Sequence, residues 1–328
     1  MKNFNSNHWA LILGGSSGFG LAAAKKLSQH GMNIMIVHRD RRGSMAHIEK
    51  EFDKIKSNNT KLVTINTNAL TTEGRSEIIA RLKSEMTKPE NEKNNNTHED
   101  QPNGPHKVRL LLHSIALGNL KPIAPQIKES AADVAVTKLA ERLGLEKSNL
   151  QTAITELLDE GFAPLHSLET PVFSEALIGE EDMQQTIYNM GTSFLSWVQD
   201  IHKQELFASD ARVIGLTSEG NEIAWKGYAA VAAAKVALES VSRSIAVEFA
   251  PFGIRSNILQ PGVTPTPALK LIPGSRQMKS IAQLKNPYGR TTTPEDVADF
   301  IALMCTDEAA WINGNVIRVD GGEKISSL

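Results

Sequence analysis

The chain has 328 residues, 41% apolar and 22% charged, proportions of an ordinary soluble globular protein with room for one large α/β domain and an insertion. A formal net charge of −2 supplies no global field that would draw in nucleic acid or an anionic membrane, so neither is expected as a partner. One cysteine, Cys305, excludes an intrachain disulfide framework and fits a reducing, cytoplasmic setting.

The first apolar run, Trp9–Leu13, predicts a short buried strand and is too short for a secretory signal. No stretch approaches the roughly 20 apolar residues of a membrane helix. A glycine-rich turn follows, then a helix from about Phe19 to His30 with Leu21, Ala24 and Leu27 on one face, ended by Gly31. Asn33–Val37 predicts a second strand. Met45, Ile48, Phe52 and Ile55 give helical spacing over Met45–Ile55. Leu62–Ile65 reads as a third strand and Ile78–Met86 as the end of a further helix. Residues 87–107 turn polar and lose periodicity, so a disordered surface loop is expected there. Val108–Leu112 predicts a strand covered on both faces, with Arg109 near its start.

Residues 119–180 break the strand–helix alternation and predict a helical insertion after the fourth strand. Val134, Leu139 and Leu143 suggest one helix. Leu150, Ile154, Leu157 and Leu158 suggest another, stopped by Gly161 and Pro164. The helix–turn–helix look raises DNA binding. Between Glu129 and Ala163, however, seven acidic side chains face three basic ones, which argues against a phosphate-facing surface. Met183, Ile187, Met190, Phe194 and Val198 then share a helix face. Val213–Leu216 reads as a strand, Ala229–Phe249 as a long helix, and Ser256–Leu259 as a strand. Pro294–Cys305 is a helix and Val316–Val319 a last strand. The alternation predicts an α/β, Rossmann-type doubly wound parallel sheet, taken as one catalytic domain over 1–328.

Leu13-Gly14-Gly15-Ser16-Ser17-Gly18-Phe19-Gly20 joins the first strand to the first helix. Gly14 permits the tight turn. Gly18 and Gly20 let backbone and helix approach a pyrophosphate, which the free N–H groups of the helix start would hold. The second strand runs into His38-Arg39-Asp40-Arg41-Arg42, the edge that faces an adenosine ribose in such sheets. An arginine there can stack on adenine and pair with a 2′-phosphate, so Arg39, assisted by Arg41 or Arg42, points to NADPH over NADH, with Asp40 facing solvent. Tyr228 and Lys235 lie about two turns apart near the start of the long helix. A lysine cation near a phenol lowers its pKa, and the pair can stabilise an oxyanion formed as hydride arrives. His113 reads as hydrogen-bonded structure rather than as a base, and Cys305 as inert core. The sequence has no HExxH or CxxC, and no metal is expected.

With the glycine turn, Asn68-Ala69, Asn189, Ser218, Lys235, Pro261-Gly262 with Thr266, and Asp320-Gly321-Gly322, the chain resembles the short-chain dehydrogenase/reductase superfamily. The resemblance covers nearly all of it except 87–107 and much of 119–180. Most members carry tyrosine four residues before the lysine; here that position is Val231, and tyrosine sits seven before. That spacing, together with His113-Ser114-Ile115-Ala116 closing the fourth strand, is similar to the enoyl-acyl-carrier-protein reductase branch, of the NADPH-preferring type. The departures are Leu13 before the glycines, Ser218 where many enoyl reductases carry a further tyrosine, and the insertion.

The resemblance implies reduction of the trans-2 double bond of an enoyl thioester, on acyl carrier protein or CoA, by a homotetramer. It implies Tyr228, Lys235 and Ser218 as catalytic residues. Cofactor contacts would come from Gly14, Ser16, Ser17, Gly18, Phe19, Gly20, Arg39, Asn68, Ala69, Ser114, Ile115, Lys235, Thr264 and Thr266. Gly118, Tyr228 and the loop from Val263 to Leu271 would meet the acyl group. Two other readings stand beside it: reduction of a ketone or 3-oxoacyl thioester, and an NADPH sensor or scaffold without turnover. The insertion is expected to cover the acyl pocket or dock a carrier protein, or else to decorate the surface or form an oligomer contact.

Overall fold

The computed structural model describes residues 4–58, 60–87, 105–126 and 129–327. Its strands form one seven-stranded parallel sheet in the order β3-β2-β1-β4-β5-β6-β7. In chain order, β1 (His8–Leu13), α1 (Gly18–Gln29), β2 (Asn33–His38), α2 (Arg42–Lys56), β3 (Leu62–Asn66) and α3 (Thr72–Thr87) build one half. The rest begins with β4 (Lys107–His113), followed by α4 (Ala131–Leu143), α5 (Lys147–Glu160), α6 (Glu180–Ile187) and α7 (Ser193–Lys203). It is completed by β5 (Phe207–Leu216), α8 (Ala229–Glu248), β6 (Ile254–Pro261), α9 (Ser275–Lys285), α10 (Pro294–Met304) and β7 (Val316–Val319).

The continuous apolar runs of the central strands follow from burial on both faces. In β1, Ala10 and Ile12 point into a core shared with α1, α2 and α10, while Trp9, Leu11 and Leu13 point into the opposite core with α3, α7 and α8. The register runs Leu11 against Met35 on one side and Leu111 on the other. The strand order reverses between β1 and β4, and beyond their C-terminal ends a crevice opens, as at every such switch point.

At the opposite, N-terminal edge, three arginines converge on Asp210. Arg109 and Arg212 are buried and donate to it at 2.6 and 2.5 Å, and Arg255 also pairs with it. The same guanidinium groups donate to the carbonyls of Met304 and Cys305 at 2.8 and 3.0 Å, so these cations also cap the C-terminus of α10.

Several expectations change. Residues 88–104 of the polar stretch 87–107 lie outside the described residues, Thr87 ends α3, and Lys107 opens β4. The insertion does hold two helices, ended by Gly144 and Gly161 at φ +66° and +103°. The buried face of α4 is Val136 and Ala140, however, because its only cover is a small cluster with Ile154 and Leu158. Val134, Leu139 and Leu143 remain exposed. The single helix expected through Met183–Val198 is interrupted by a π turn, Tyr188–Thr192. There Gly191 lies so close to α8 that a Cβ would sit 2.7 Å from the Ala234 carbonyl oxygen. Finally, α9 was not anticipated beyond the loop ending at Leu271.

Candidate active site

The turn after β1 is shaped by backbone proximity. Gly14 adopts φ +83°, and a Cβ there would lie 2.6 Å from the Ser114 carbonyl oxygen. A Cβ on Gly20 would lie 2.3 Å from the Gly14 carbonyl oxygen, so only glycine lets α1 close onto the turn. Ser17 is the N-cap of α1, but its side chain makes no capping bond, and no carboxylate occupies the first turn. The uncapped N–H groups and this glycine cradle, which any Cβ would fill, fit a dinucleotide pyrophosphate. Thr266 is brought against the cradle, 3.4 Å from the Cβ position of Gly18.

Across the crevice, Gly227 at φ +76° turns the chain into Tyr228, the N-cap residue of α8. The phenol ring lies over Gly220, whose Cβ would fall 2.5 Å from Tyr228 Cε1. The Tyr228 hydroxyl lies 3.4 Å from Ser218 Oγ. Two turns on, Lys235 is buried and donates from Nζ to the Leu216 carbonyl at 2.8 Å. Burial pulls its pKa down to about 8, with the Glu239 carboxylate opposing the shift. Glu239 in turn accepts from Thr217 and Asn221. The expected lowering of the phenol pKa is not what the structure shows. Burial raises it, the Ser218 hydrogen bond opposes, and the structure shows a Lys235 Nζ hydrogen bond to the Leu216 carbonyl rather than to the phenol.

These groups face a cleft of about 340 Å³. Phe19, Ser114, Ile115, Ser218, Tyr228 and Lys235 line it, together with Gly118, Thr264 and Thr266. Nine sequence-predicted residues thus converge, from α1, the segments after β4 and β5, the start of α8 and the loop after β6. Leu269 and Leu271 of the expected loop join them, while Leu120, Met190, Trp225, Met278 and Ile281, an apolar part of the wall, had not been expected; Glu219, Lys285 and Glu323 also line the cleft. Val231 lines the cleft too, at the position where most of the superfamily has tyrosine. No sequence signal marked Met278 or Ile281, which belong to the unanticipated α9.

Gly118 is a packing position as much as a lining one, since a Cβ there would lie 2.7 Å from Thr186 and 2.9 Å from Met190 and Val231. Thr264 and Thr266 are buried. The Thr264 hydroxyl donates to the Gly262 carbonyl at 2.9 Å, and Thr266 Oγ1 accepts from Leu269 N–H at 3.2 Å. The start of this loop is held by buried Glu323, which accepts from Val263 N–H at 3.2 Å. Asp320 holds that C-terminal turn by accepting from Gly322 and Lys324 N–H groups at 3.0 Å each.

Arg39, Asn68 and Ala69 do not line the cleft. Arg39 is exposed past the end of β2, with Arg41 and Arg42, and among the described residues none of the three pairs with a carboxylate. Asp40, expected to face solvent, instead accepts from His38 Nδ1 at 2.9 Å. Ala69 is buried, its carbonyl accepting from the Trp197 indole at 3.0 Å. Asn68 Oδ1 accepts from Leu70 N–H at 3.1 Å. His113 is structural: it meets Ser193 Oγ at 2.9 Å, and burial pushes its pKa down to about 3. Cys305 is buried, its thiol pushed up to about 12.

With this geometry in hand, the comparisons are direct. The family model for enoyl-(acyl carrier protein) reductase matches residues 159–324. The chain belongs to this family, a branch of the short-chain dehydrogenase/reductases, which are oxidoreductases that bind a nicotinamide dinucleotide. An oxidoreductase of Bacillus subtilis, YjdA, is 34% identical over 137 residues, 41% of this chain and 52% of its own length. FabI of Escherichia coli, an NADH-dependent enoyl-(acyl-carrier-protein) reductase, is 34% identical over 116 residues, 35% of this chain and 44% of its own. The chain thus spans about half the length of these relatives. The crystal structure of FabI from Candidatus Liberibacter asiaticus shares the fold, with a TM-score of 0.69 at 17% identity over 100% of this chain and 99% of that one. Among the described residues no helix is long and apolar enough to cross a membrane.

Proposed function

We propose that the chain reduces the trans-2 double bond of an enoyl thioester with NADPH, the acyl group arriving on acyl carrier protein or CoA, as a cytoplasmic homotetramer in fatty acid synthesis. The observation that carries this reading is Tyr228, seven residues before Lys235 and 3.4 Å from Ser218, on a cleft whose wall at the alternative position is Val231.

In this reading the turn from Gly14 to Gly20, with Ser16, Ser17, Gly18 and Phe19, holds the pyrophosphate, and Arg39 meets a 2′-phosphate. Asn68 and Ala69 border the adenine. Ser114, Ile115, Thr264, Thr266 and Lys235 hold the nicotinamide half. When bound, the cofactor supplies the hydride that adds to the β-carbon.

The protein's own part is electrostatic. As charge gathers on the thioester oxygen, the Tyr228 hydroxyl donates to it, and Ser218 orients that hydroxyl. Because burial keeps the phenol protonated, it enters the reaction as a donor. The apolar wall from Leu120 to Ile281 takes the acyl chain and excludes water, which strengthens the hydrogen bond to the developing enolate. Protonation at the α-carbon completes the product.

The raised phenol pKa also favours a second reading, reduction of a 3-oxoacyl thioester, where tyrosine would give its proton to a forming alkoxide. One experiment separates the two: NADPH oxidation with crotonyl and longer enoyl thioesters beside matching 3-oxoacyl thioesters, for wild type and Tyr228→Phe. Enoyl turnover reduced by about 10²–10³ in the variant is expected. Turnover of oxo substrates alone selects the second reading, and NADPH binding without turnover of either overturns both.

A further inference from the structure

The insertion meets the outer wall of the cleft through the segment after its 3₁₀ turn. Glu169, Pro171 and Phe173 each contact the residues around the cleft's outer wall. The Glu169 carboxylate accepts from the backbone N–H of Gln277, in the first turn of α9. Pro171 crowds Gly274 just before that helix, where a Cβ would lie 3.1 Å from it and 3.1 Å from Trp225. Phe173 borders Gly227, the residue that turns the chain into Tyr228, and carries the Lys226 ammonium 4.5 Å over its ring. The segment is tied back to α5 by Gln151 Nε2, which donates to Thr170 Oγ1 at 3.2 Å. The 3₁₀ turn Ala163–Leu168 packs along α9.

What α9 does for the cleft makes these contacts consequential. Met278, Ile281, Ala282 and Lys285 line the cleft from it. The end of the loop before it is tethered from the catalytic side by the Trp225 indole, which donates to the Pro273 carbonyl at 3.1 Å. No side chain of α9's own N-cap, Gly274, can satisfy the first N–H groups of the helix. The Ser275 N–H is taken by the Ile272 carbonyl at 3.0 Å, and the Gln277 N–H by Glu169, from a different part of the chain.

We propose that the insertion braces the outer wall of the cleft, with Glu169 as a positioning residue: by capping α9 it holds Met278 and Ile281 in place and sets the acyl chain length accepted. This rests on the enoyl thioester reading above. Burial pushes the Glu169 carboxyl above its usual range, with Gln277 N–H and Arg276 opposing, so a neutral amide oxygen is a fair substitute acceptor. The ion pair Arg276–Asp159, 2.7 Å and largely exposed, joins the same two elements and contributes little.

The test has two arms on the full chain. Amide hydrogen exchange is followed for wild type, Glu169→Ala, Glu169→Gln and Arg276→Ala. Peptides over 275–285 are expected to exchange about fivefold faster in Glu169→Ala, with α10 unchanged, and close to wild type in the other two. Unchanged exchange in α9, or equal acceleration in α10, overturns the brace. In the second arm, NADPH oxidation compares crotonyl with dodecenoyl thioesters. Glu169→Ala is expected to raise the KM for the long substrate about fivefold relative to the short one, at unchanged kcat on the short one, with Glu169→Gln restoring the ratio. An unchanged ratio alongside faster exchange overturns the chain-length role. Absence of any enoyl turnover in wild type overturns the chain-length role and the enoyl reading, while exchange still decides the brace.

Discussion

Lys235 Nζ donates to the carbonyl oxygen of Leu216, which ties the catalytic helix α8 to the last residue of β5. A cation is thereby held in a buried position where its pKa falls from 10.5 to about 8. Below that value the lysine is charged and available to a ribose hydroxyl; above it the charge is lost. We therefore expect kcat/KM of the free enzyme to fall as pH rises through about 8. Lys235→Arg should abolish that limb, because a guanidinium stays protonated. A wild-type profile flat across this range would contradict the assignment.

Gly20→Ala should damage the fold and the nucleotide site together. Its Cβ meets backbone, the Gly14 carbonyl at 2.3 Å, which has no side-chain freedom to yield. A loss of about 1–3 kcal/mol is expected by urea unfolding. The rise in Tm that NADPH produces in wild type should disappear. Gly43→Ala is the matched control: nothing lies within 4 Å of its Cβ position in α2, so stability should hold or rise slightly.

Arg39→Ala should weaken NADPH binding by roughly 10–100-fold, the loss of a charged hydrogen bond to phosphate, and leave NADH binding within about twofold. Fluorescence titration with both nucleotides reads this directly. Equal losses for the two would assign Arg39 to adenine stacking rather than to the 2′-phosphate.

Asp210 holds three guanidinium groups at the edge of the sheet opposite the cleft. Burial alone would raise its pKa, but Arg212 and Arg109 outweigh burial and the net shift is downward. Its contribution to stability is therefore present above the ordinary carboxylate range and is lost as pH falls through the lowered value. Asp210→Ala leaves the buried Arg212 without its carboxylate while Arg109 keeps Asp307, and should cost about 3–5 kcal/mol in urea unfolding at neutral pH. NADPH oxidation per folded molecule should be unchanged; a selective loss of kcat would mean this edge is coupled to the cleft.

The parts of the molecule legible in the sequence are those where one residue type does one physical job. Glycine at 14, 18 and 20 is readable because backbone crowding admits nothing else. Tyr228 and Lys235, seven apart at the start of a helix, carry meaning only through the family resemblance, because a tyrosine at a helix start and a lysine two turns on are common. Their partners on the cleft, from Ser114 to Thr266, became visible through the motif resemblance rather than through spacing. What was not legible depends on distant contacts. Val134, Leu139 and Leu143 have helical spacing, yet α4 buries only Val136 and Ala140 because a small cluster covers so little of it. The π turn at Tyr188–Thr192 is set by the approach of α8 to Gly191, which no local pattern encodes. Arg212, a fully buried charge in a strand, makes sense only with Asp210, Met304 and Thr306 around it. For α9 the polar residues Arg276, Gln277 and Lys279 mask a face of just a few apolar side chains.

Val231 packs with Met190 and Ala234 beside Tyr228, and its methyl lies 2.9 Å from the Cβ position of Gly118. A ring four residues before the lysine would leave this side of α8 pressing on Met190 in the π turn and on Gly118, or would project into the cleft that Val231 lines. Moving the phenol back to the commoner position therefore changes the cleft as well as the chemistry: Val231→Tyr would fill volume that the cleft now leaves open beside Tyr228. The two tyrosine placements behave as alternative solutions to one volume constraint. A lineage, or an engineer, that wished to cross between them would trade room for substrate against the position of the hydroxyl.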